Sequence, residues 1–333
     1  FLQNVVQKLE HPALIFSEGT QSREGGYPVA DGYDLTIIGG GPGGFAAAIR
    51  AAQLGAKVAL VEEHKLGGNC MHQACLPAQI LMVAAKLADR VRQAGKLGLQ
   101  AGEPALDLEA LYARKDQVIA GLQMGTQALL ADRGVSLFQG RGTLTDRGVV
   151  QVGERQIRTR NTLIATGSVA AQLTVKGIDL PGVIGTDQVL ALRQVPPRAA
   201  VLVNTPLDLQ LAQYLHLLGS QVTLLTSAPC LLPKADREIG QRLGKQLYDA
   251  GIAIQRGITL EAIRRGEEGT LSLVLREDKA PVVADQVVAA RRLPNTAGLG
   301  LRDLGVRLQA GAIVTDERMR TNIPHLYAVG DAA

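Results

Sequence analysis

Residues 34–62 read DLTIIGGGPGGFAAAIRAAQLGAKVALVE, and the order of residue types there sets the local structure. Leu35, Thr36, Ile37 and Ile38 form a short apolar run of the kind that makes a buried strand. The turn Gly39-Gly40-Gly41-Pro42-Gly43-Gly44 follows, Phe45 to Leu54 supplies an Ala-rich helix stopped by Gly55, and Val58 to Val61 makes a second strand. This is a β-α-β unit. Its turn fits G-x-G-x-x-G: Gly39 makes the turn, Gly41 leaves bare backbone for a pyrophosphate at the helix N-terminus, and Gly44 lets helix and strand pack closely. Glu62 ends the second strand 18 residues after Gly44, where a carboxylate can accept hydrogen bonds from a ribose. A turn chosen for packing alone would explain the glycines but not strand, helix and acid together.

Downstream, a helix is expected from about Cys75 to Ala94, a long helix with one break over Leu106 to Leu130, and strands at Val135–Phe138, Val149–Val152 and Thr162–Ala165. The pattern then starts again, with strand Ala200–Val203, helix Leu207–Leu218, the stop Gly219 and strand Val222–Leu225, and a final strand runs Ile323–Val329. The expected class is α/β with two tandem doubly wound nucleotide-binding domains. Four segments follow: an N-terminal helix and linker over 1–33, with Leu2, Val5, Val6 and Leu9 at helical spacing; a first domain over 34–180; a second over 181–298; and a return segment over 299–333 that completes the first.

Composition narrows the function. The chain has 333 residues, no Trp, 3% aromatics and a net charge of only +4, so the basic and aromatic surface of a nucleic-acid binder is missing. Glycine contributes 38 residues, about 11% of the chain, without any collagen period. No run of about 18 uncharged apolar residues suggests a transmembrane span. Three cysteines are too few for a disulfide-stapled secreted fold, which points to a reducing, cytoplasmic setting. The chain opens on Phe1 rather than Met, so the natural start is expected upstream.

Directly after the nucleotide unit comes Gly67-Gly68-Asn69-Cys70-Met71-His72-Gln73-Ala74-Cys75-Leu76-Pro77. A C-x-x-x-x-C pair at a helix start can close a small ring and reopen, and the positive end of the helix favours the thiolate that exchange needs. Zinc would require more ligands than His64 and His72 add, and two inert thiols are the remaining alternative. No metal is expected.

These stretches, with LLADRGVSLFQGRGTL (129–144), TLIATGS (162–168), RRLPNTAGL (291–299) and LYAVGDAA (326–333), resemble the flavoprotein disulfide reductases, the pyridine nucleotide-disulfide oxidoreductase family, and within it the dihydrolipoamide dehydrogenase type. The resemblance implies Rossmann-like domains and an FAD whose adenine half meets Gly39, Gly41, Gly43, Gly44, Glu62 and the backbone near Gly142. It places Gly68, Asn69, Thr166 and Gly167 beside the same cofactor and assigns Asp331 to the ribityl chain. Cys75 becomes the flavin-facing thiol and Cys70 the outer thiol that exchanges with a small-molecule or protein-bound disulfide. It also implies a homodimer formed through a further domain, which in the family supplies a catalytic His and is expected to be missing from this chain.

Departures from the family pattern cluster at the second nucleotide site. Its three glycine positions are Val203, Thr205 and Asp208, and Thr226 stands where an acid would hold a ribose. Asp208 is expected to bring a carboxylate to the turn where a pyrophosphate would rest, a like-charge contact costing on the order of 4 kcal/mol at about 4 Å. A family Lys and Glu pair is replaced by Gln79 and Gln210, two amides able to hydrogen-bond. NAD(P)H use is therefore expected to be impaired or lost. Two functions stay open at this point. One is an FAD-dependent dithiol-disulfide oxidoreductase using Cys70 and Cys75; the other is a flavin-binding redox sensor, electron-transfer component or structural subunit without pyridine-nucleotide turnover.

Overall fold

A computed structural model describes residues 32–171, 173–276 and 279–333. The helix and linker expected over 1–33 lie outside the described residues except at their end, where Tyr33 already opens the first strand. The chain divides into two compact units, the first comprising the described parts of 1–72 with 119–169 and 292–333, the second 73–118 with 170–291.

The first unit is built on a parallel sheet. Strand β1 (Tyr33–Ile38) lies between β2 (Val58–Glu62), with Leu35 opposite Val58, and the later strand β6 (Arg155–Ile164); β3 (Ser136–Gln139) extends the sheet beyond β2, and Leu326–Ala328 adds parallel to β6. Both faces of β1 and β2 are covered, which is why these strands read as unbroken apolar runs rather than alternating ones. Helix α1 (Pro42–Gln53) can lie close to the sheet because Ala47, Ala48 and Ala51 face it, in one core with Ile37, Leu60 and Leu130. On the other face Ile38, Val61, Val150, Ile164 and Ala328 pack together. The antiparallel strands β4 (Gly142–Asp146) and β5 (Val149–Val152) lean on the first half of β6.

Several elements differ from expectation. Strand β6 starts at Arg155 instead of Thr162, because its polar first half is paired with β5. The last strand is only Leu326–Ala328; Pro324 and His325, the latter at φ 64°, keep the preceding chain out of the ladder. The long helix Leu108–Asp132 has no break, since Gly121 and Gly125 face open space and cost helix propensity alone.

The second unit carries a parallel sheet of β7 (Arg198–Leu202), β8 (Gln221–Leu225), β9 (Ala253–Gln255) and β10 (Gln286–Ala289) in the order β9-β8-β7-β10, closed by Val183–Ile184. Asp285 accepts hydrogen bonds from the backbone N–H and guanidinium of Arg198, tying the starts of β7 and β10 together. The short helix α2 (Gly68–His72) ends in the first unit, and α3 (Cys75–Gln93) begins in the second. Ala78, Leu81, Met82 and Ala85, spaced as one helical face, pack α3 onto Leu211, Tyr214 and Leu215 of α4 (Pro206–Leu217). A three-stranded antiparallel sheet, Leu260–Arg265, Leu271–Leu275 and Val282–Ala284, was not legible in the sequence because its strands are short and one-sided. The fold is thus α/β with two parallel, doubly wound sheets, as expected. Among the described residues no helix is long and apolar enough to cross a membrane.

Candidate functional site

In the first unit the parallel strands all end at one edge, and the turns there carry the candidate residues. Gly39 leaves β1 at φ 105° and donates to the Val61 carbonyl at 2.8 Å; a Cβ on it would stand 2.6 Å from the Ala165 carbonyl carbon. Gly44, in the first turn of α1, sits beneath the Gly39 carbonyl, and a Cβ there would overlap that oxygen. Gly41 behaves differently. It caps α1 in an extended conformation (φ −69°, ψ −177°), and a Cβ on it would meet nothing within 4 Å. No side chain caps α1 and no acid lies in its first turn, so bare N–H groups face open space at the positive end of the helix. A phosphate-bearing ligand fits such a cradle.

Glu62 is almost fully buried at the end of β2. One carboxylate oxygen accepts from the Gly40 N–H and the other from the His64 N–H, each at 2.7 Å. The acid therefore fixes the glycine turn itself, and its remaining lone pairs stay available to a hydroxyl. Gly142, at the start of β4, packs against Ile38 and Val61 at the ends of β1 and β2. A Cβ on Gly43 would come within 3.1 Å of Val329, so Gly43 lies toward the Leu326–Ala328 side.

The cysteine segment is tied to the same turns. Gly67 donates to the Gly40 carbonyl, and Gly68 approaches Gly41 so closely that a Cβ would lie 2.9 Å from its Cα. Asn69 donates its side-chain N–H to the Ser168 carbonyl at 2.6 Å, and the His72 ring nitrogen Nε2 lies 2.9 Å from the Leu66 carbonyl, so His72 braces the loop. Cys70 is half-buried on α2, whereas Cys75 is exposed as the first residue of α3, beside an N-cap, Ala74, that offers no side-chain acceptor.

Two residues not singled out from the sequence complete the first unit's edge. Ser168 donates to the Asp331 carboxylate at 2.6 Å, and Arg292 binds both the Ser168 hydroxyl (2.8 Å) and its carbonyl (2.6 Å). Asn69, Ser168, Arg292 and Asp331 form one network, with Thr166 and Gly167 held next to it through Asn295. Both were inside quoted stretches, TLIATGS and RRLPNTAGL, but their pairing joins positions 124 residues apart.

The corresponding turn of the second unit is built otherwise. Val203, at the Gly39-like position, does not enter the left-handed region. Asp208 is fully buried and its Oδ2 accepts from the N–H groups of Asn204 (2.9 Å) and Thr205 (2.7 Å) and from the Thr205 hydroxyl (3.0 Å). The carboxylate expected at this turn is thus tied to the turn's own N–H groups and hydroxyl. Burial outweighs these bonds and pushes its pKa above the usual carboxylate range. Thr226 is also buried and its hydroxyl accepts from the Ala228 N–H. Gln79 is exposed and Gln210 half-buried; among the described residues no hydrogen bond joins the two amides.

Residues 33–333 match the family described as pyridine nucleotide-disulphide oxidoreductase. The chain belongs to that family. It is 36% identical over 309 residues to a dihydrolipoyl dehydrogenase of Thermus scotoductus, covering 90% of this chain and 66% of the relative, and 36% identical over 300 residues to a glutathione reductase of Burkholderia cepacia, with the same coverage. Among solved structures it resembles the HOCl-induced flavoprotein disulfide reductase RclA from Escherichia coli, with a TM-score of 0.76 and 26% identity over 90% of this chain and 66% of that one. The chain therefore spans about two thirds of the length of these relatives.

Proposed function

We propose that this family member is an FAD-dependent dithiol-disulfide oxidoreductase of dihydrolipoamide dehydrogenase type with little or no use of NAD(P)H. The observation that carries the reading is the open, uncapped N-terminus of α1 at Gly41, held by Glu62 and bound through Gly67 and Gly68 to the Cys70 helix. The amides at Gly41 would hold the pyrophosphate, Glu62 a ribose and Asp331 the ribityl chain, with Ser168 and Arg292 keeping Asp331 in place. When bound, FAD would supply a two-electron reservoir for the thiol pair. The domain assignment proposed with this reading is 34–180 with 299–333 for the flavin and 181–298 for a degenerate nucleotide site, with Arg292 belonging to the first compact unit.

The thiols carry the exchange. With both reduced, the Cys70 thiolate attacks a substrate disulfide, forming a mixed disulfide and releasing one substrate thiolate. Cys75, five residues on, then attacks the Cys70 sulfur, releases the second substrate thiolate and closes the protein disulfide, so two electrons pass to the substrate. The position of Cys75 at the start of α3 favours its anion. A reducing cytoplasmic setting, a small or protein-bound disulfide and a homodimer belong to the same proposal.

Asp208 favours a second reading, a flavin-binding sensor or electron-transfer subunit without nicotinamide turnover. Absorbance spectra of the purified protein, followed by anaerobic dithiol and NADH titrations, separate the two. The oxidoreductase gives flavin absorbance and, with dithiol, a long-wavelength thiolate-to-flavin band. The subunit reading gives flavin absorbance without that band. Protein that stays colourless after added FAD overturns both.

A further inference from the structure

We propose that a groove at the outer edge of the second unit's sheet binds a planar aromatic ring carrying a phosphate, as in a nucleoside monophosphate. The groove lies between strand β9 and helix α5 (Arg237–Asp249) and holds about 350 Å³, within the range of small-molecule sites. It stands beyond β9, two strands away from β7 and its turn, so it uses no residue of the flavin and thiol reading. Gln241, Gly244, Lys245 and Tyr248 follow one another at helical spacing and form one wall; Ile254 and Arg256, in and just after β9, form the other.

Gly244 occupies the middle of α5, where glycine is a poor helix former. A Cβ there would stand 2.6 Å from Arg256 Nη2, so the missing side chain lets the guanidinium lie close against the helix. Among the described residues the Arg256 side chain forms no hydrogen bond or ion pair. Lys245 is paired with Asp249 at 2.6 Å, but both groups are exposed, and such a pair yields readily to a phosphate. Arg256 is therefore the uncompensated charge, and its planar fork of donors suits phosphate oxygens. Tyr248 lies one turn beyond Gly244, about 6 Å along the axis, a separation that a ribose spans between base and phosphate. The residue is 70% exposed, which leaves its ring as a platform for a base to stack on. The N–H and C=O groups of Ala253 and Gln255 point to β8, so those of Ile254 point to the outer edge, where no described strand follows. They can meet the polar edge of a base or a ribose hydroxyl. Shielding of an edge strand by charge accounts for Arg256 and Lys245, but not for the glycine against which one rests or the bare ring beside the other.

The test uses the full chain with FAD in excess, so that the flavin turn is closed to the probes AMP, inorganic phosphate and adenosine. Calorimetry gives affinity, and the backbone amide signals of Gly244, Tyr248 and Ile254 give location. AMP should move all three signals and bind about tenfold or more tightly than either phosphate or adenosine. Arg256→Gln should weaken AMP about tenfold by removing a charged donor, and Tyr248→Ala should do so to a similar extent by removing the stacking surface. Gly244→Ala should also weaken it, because the new Cβ displaces the guanidinium. AMP that leaves the three signals unmoved overturns the proposal, a result read on the wild type whether or not any variant folds. So does AMP that binds no better than phosphate alone, which would make the groove a site for anions only, and so does unchanged affinity in Arg256→Gln. Failure of the functional reading shows instead as protein without flavin absorbance and leaves these local signals readable.

Discussion

Gly41 and Gly44 lie three residues apart in one turn, and a methyl group on each should have opposite consequences. At Gly44 the new Cβ would overlap the Gly39 carbonyl oxygen and lie 3.0 Å from its carbon and 3.4 Å from the Ala165 Cβ. Overpacking costs typically about 1–3 kcal/mol, and a backbone carbonyl cannot change rotamer, so the upper end applies. Improved helix propensity returns at most about 1 kcal/mol, which leaves Gly44→Ala about 2 kcal/mol less stable. At Gly41 the backbone already suits alanine and the Cβ meets nothing within 4 Å. The gain from a stiffer unfolded chain, about 0.4–1 kcal/mol, roughly cancels the poorer N-cap, so apoprotein stability should stay within about 0.5 kcal/mol. The methyl would instead stand in the bare face against the pyrophosphate. An overpacking cost of about 1–3 kcal/mol there weakens FAD binding roughly 5- to 150-fold. Urea unfolding of the apoproteins and flavin fluorescence titrations measure the two effects separately. Unchanged flavin affinity in Gly41→Ala would place the ligand elsewhere, and wild-type stability in Gly44→Ala would refute the close approach of helix and turn.

Asp208 gives a pH signature. Its folded pKa is raised by burial, so the folded state holds the proton more tightly than the unfolded chain, and stability present at low pH is lost as pH rises from the ordinary carboxylate range through the raised value. The stability of wild type minus that of Asp208→Asn should therefore fall with rising pH in denaturant titrations; a rise would reverse the assignment. Cys70→Ser and Cys75→Ser should each abolish dithiol-disulfide turnover while retaining flavin, and full activity in either, assayed with a small dithiol, would remove that thiol from the relay. Leu81→Ala, at a fully buried position between α3 and α4, should cost about 2–5 kcal/mol, visible as a lower urea midpoint. Arg292→Gln should loosen Asp331 through Ser168 and weaken FAD binding with little effect on melting temperature; unchanged affinity would leave the network without a role in binding.

The legible part of the site was local. G-x-G-x-x-G between a strand and a helix, the acid at the next strand end and the C-x-x-x-x-C loop each lie within a few dozen residues, where backbone geometry follows directly from residue type. Glu62 shows the limit: its position was readable, but its two amide partners, Gly40 and His64, were not. The Asn69–Ser168–Arg292–Asp331 network was beyond reach for a simpler reason, since its hydrogen-bonded pairs are separated by as many as 163 residues and meet only in the folded chain.

By itself the sequence determined the two doubly wound sheets, the bare first turn and the loss of glycines from the second, because strand, helix and turn preferences act over short stretches of chain. Tertiary structure alone decided the direction of Asp208. A carboxylate in that turn can face solvent or fold back onto the helix N-terminus. Packing of the turn without a left-handed residue at Val203 buried it and gave it the amides of Asn204 and Thr205. Which groups share a hydrogen bond depends on where distant segments come to rest, and no local preference encodes that.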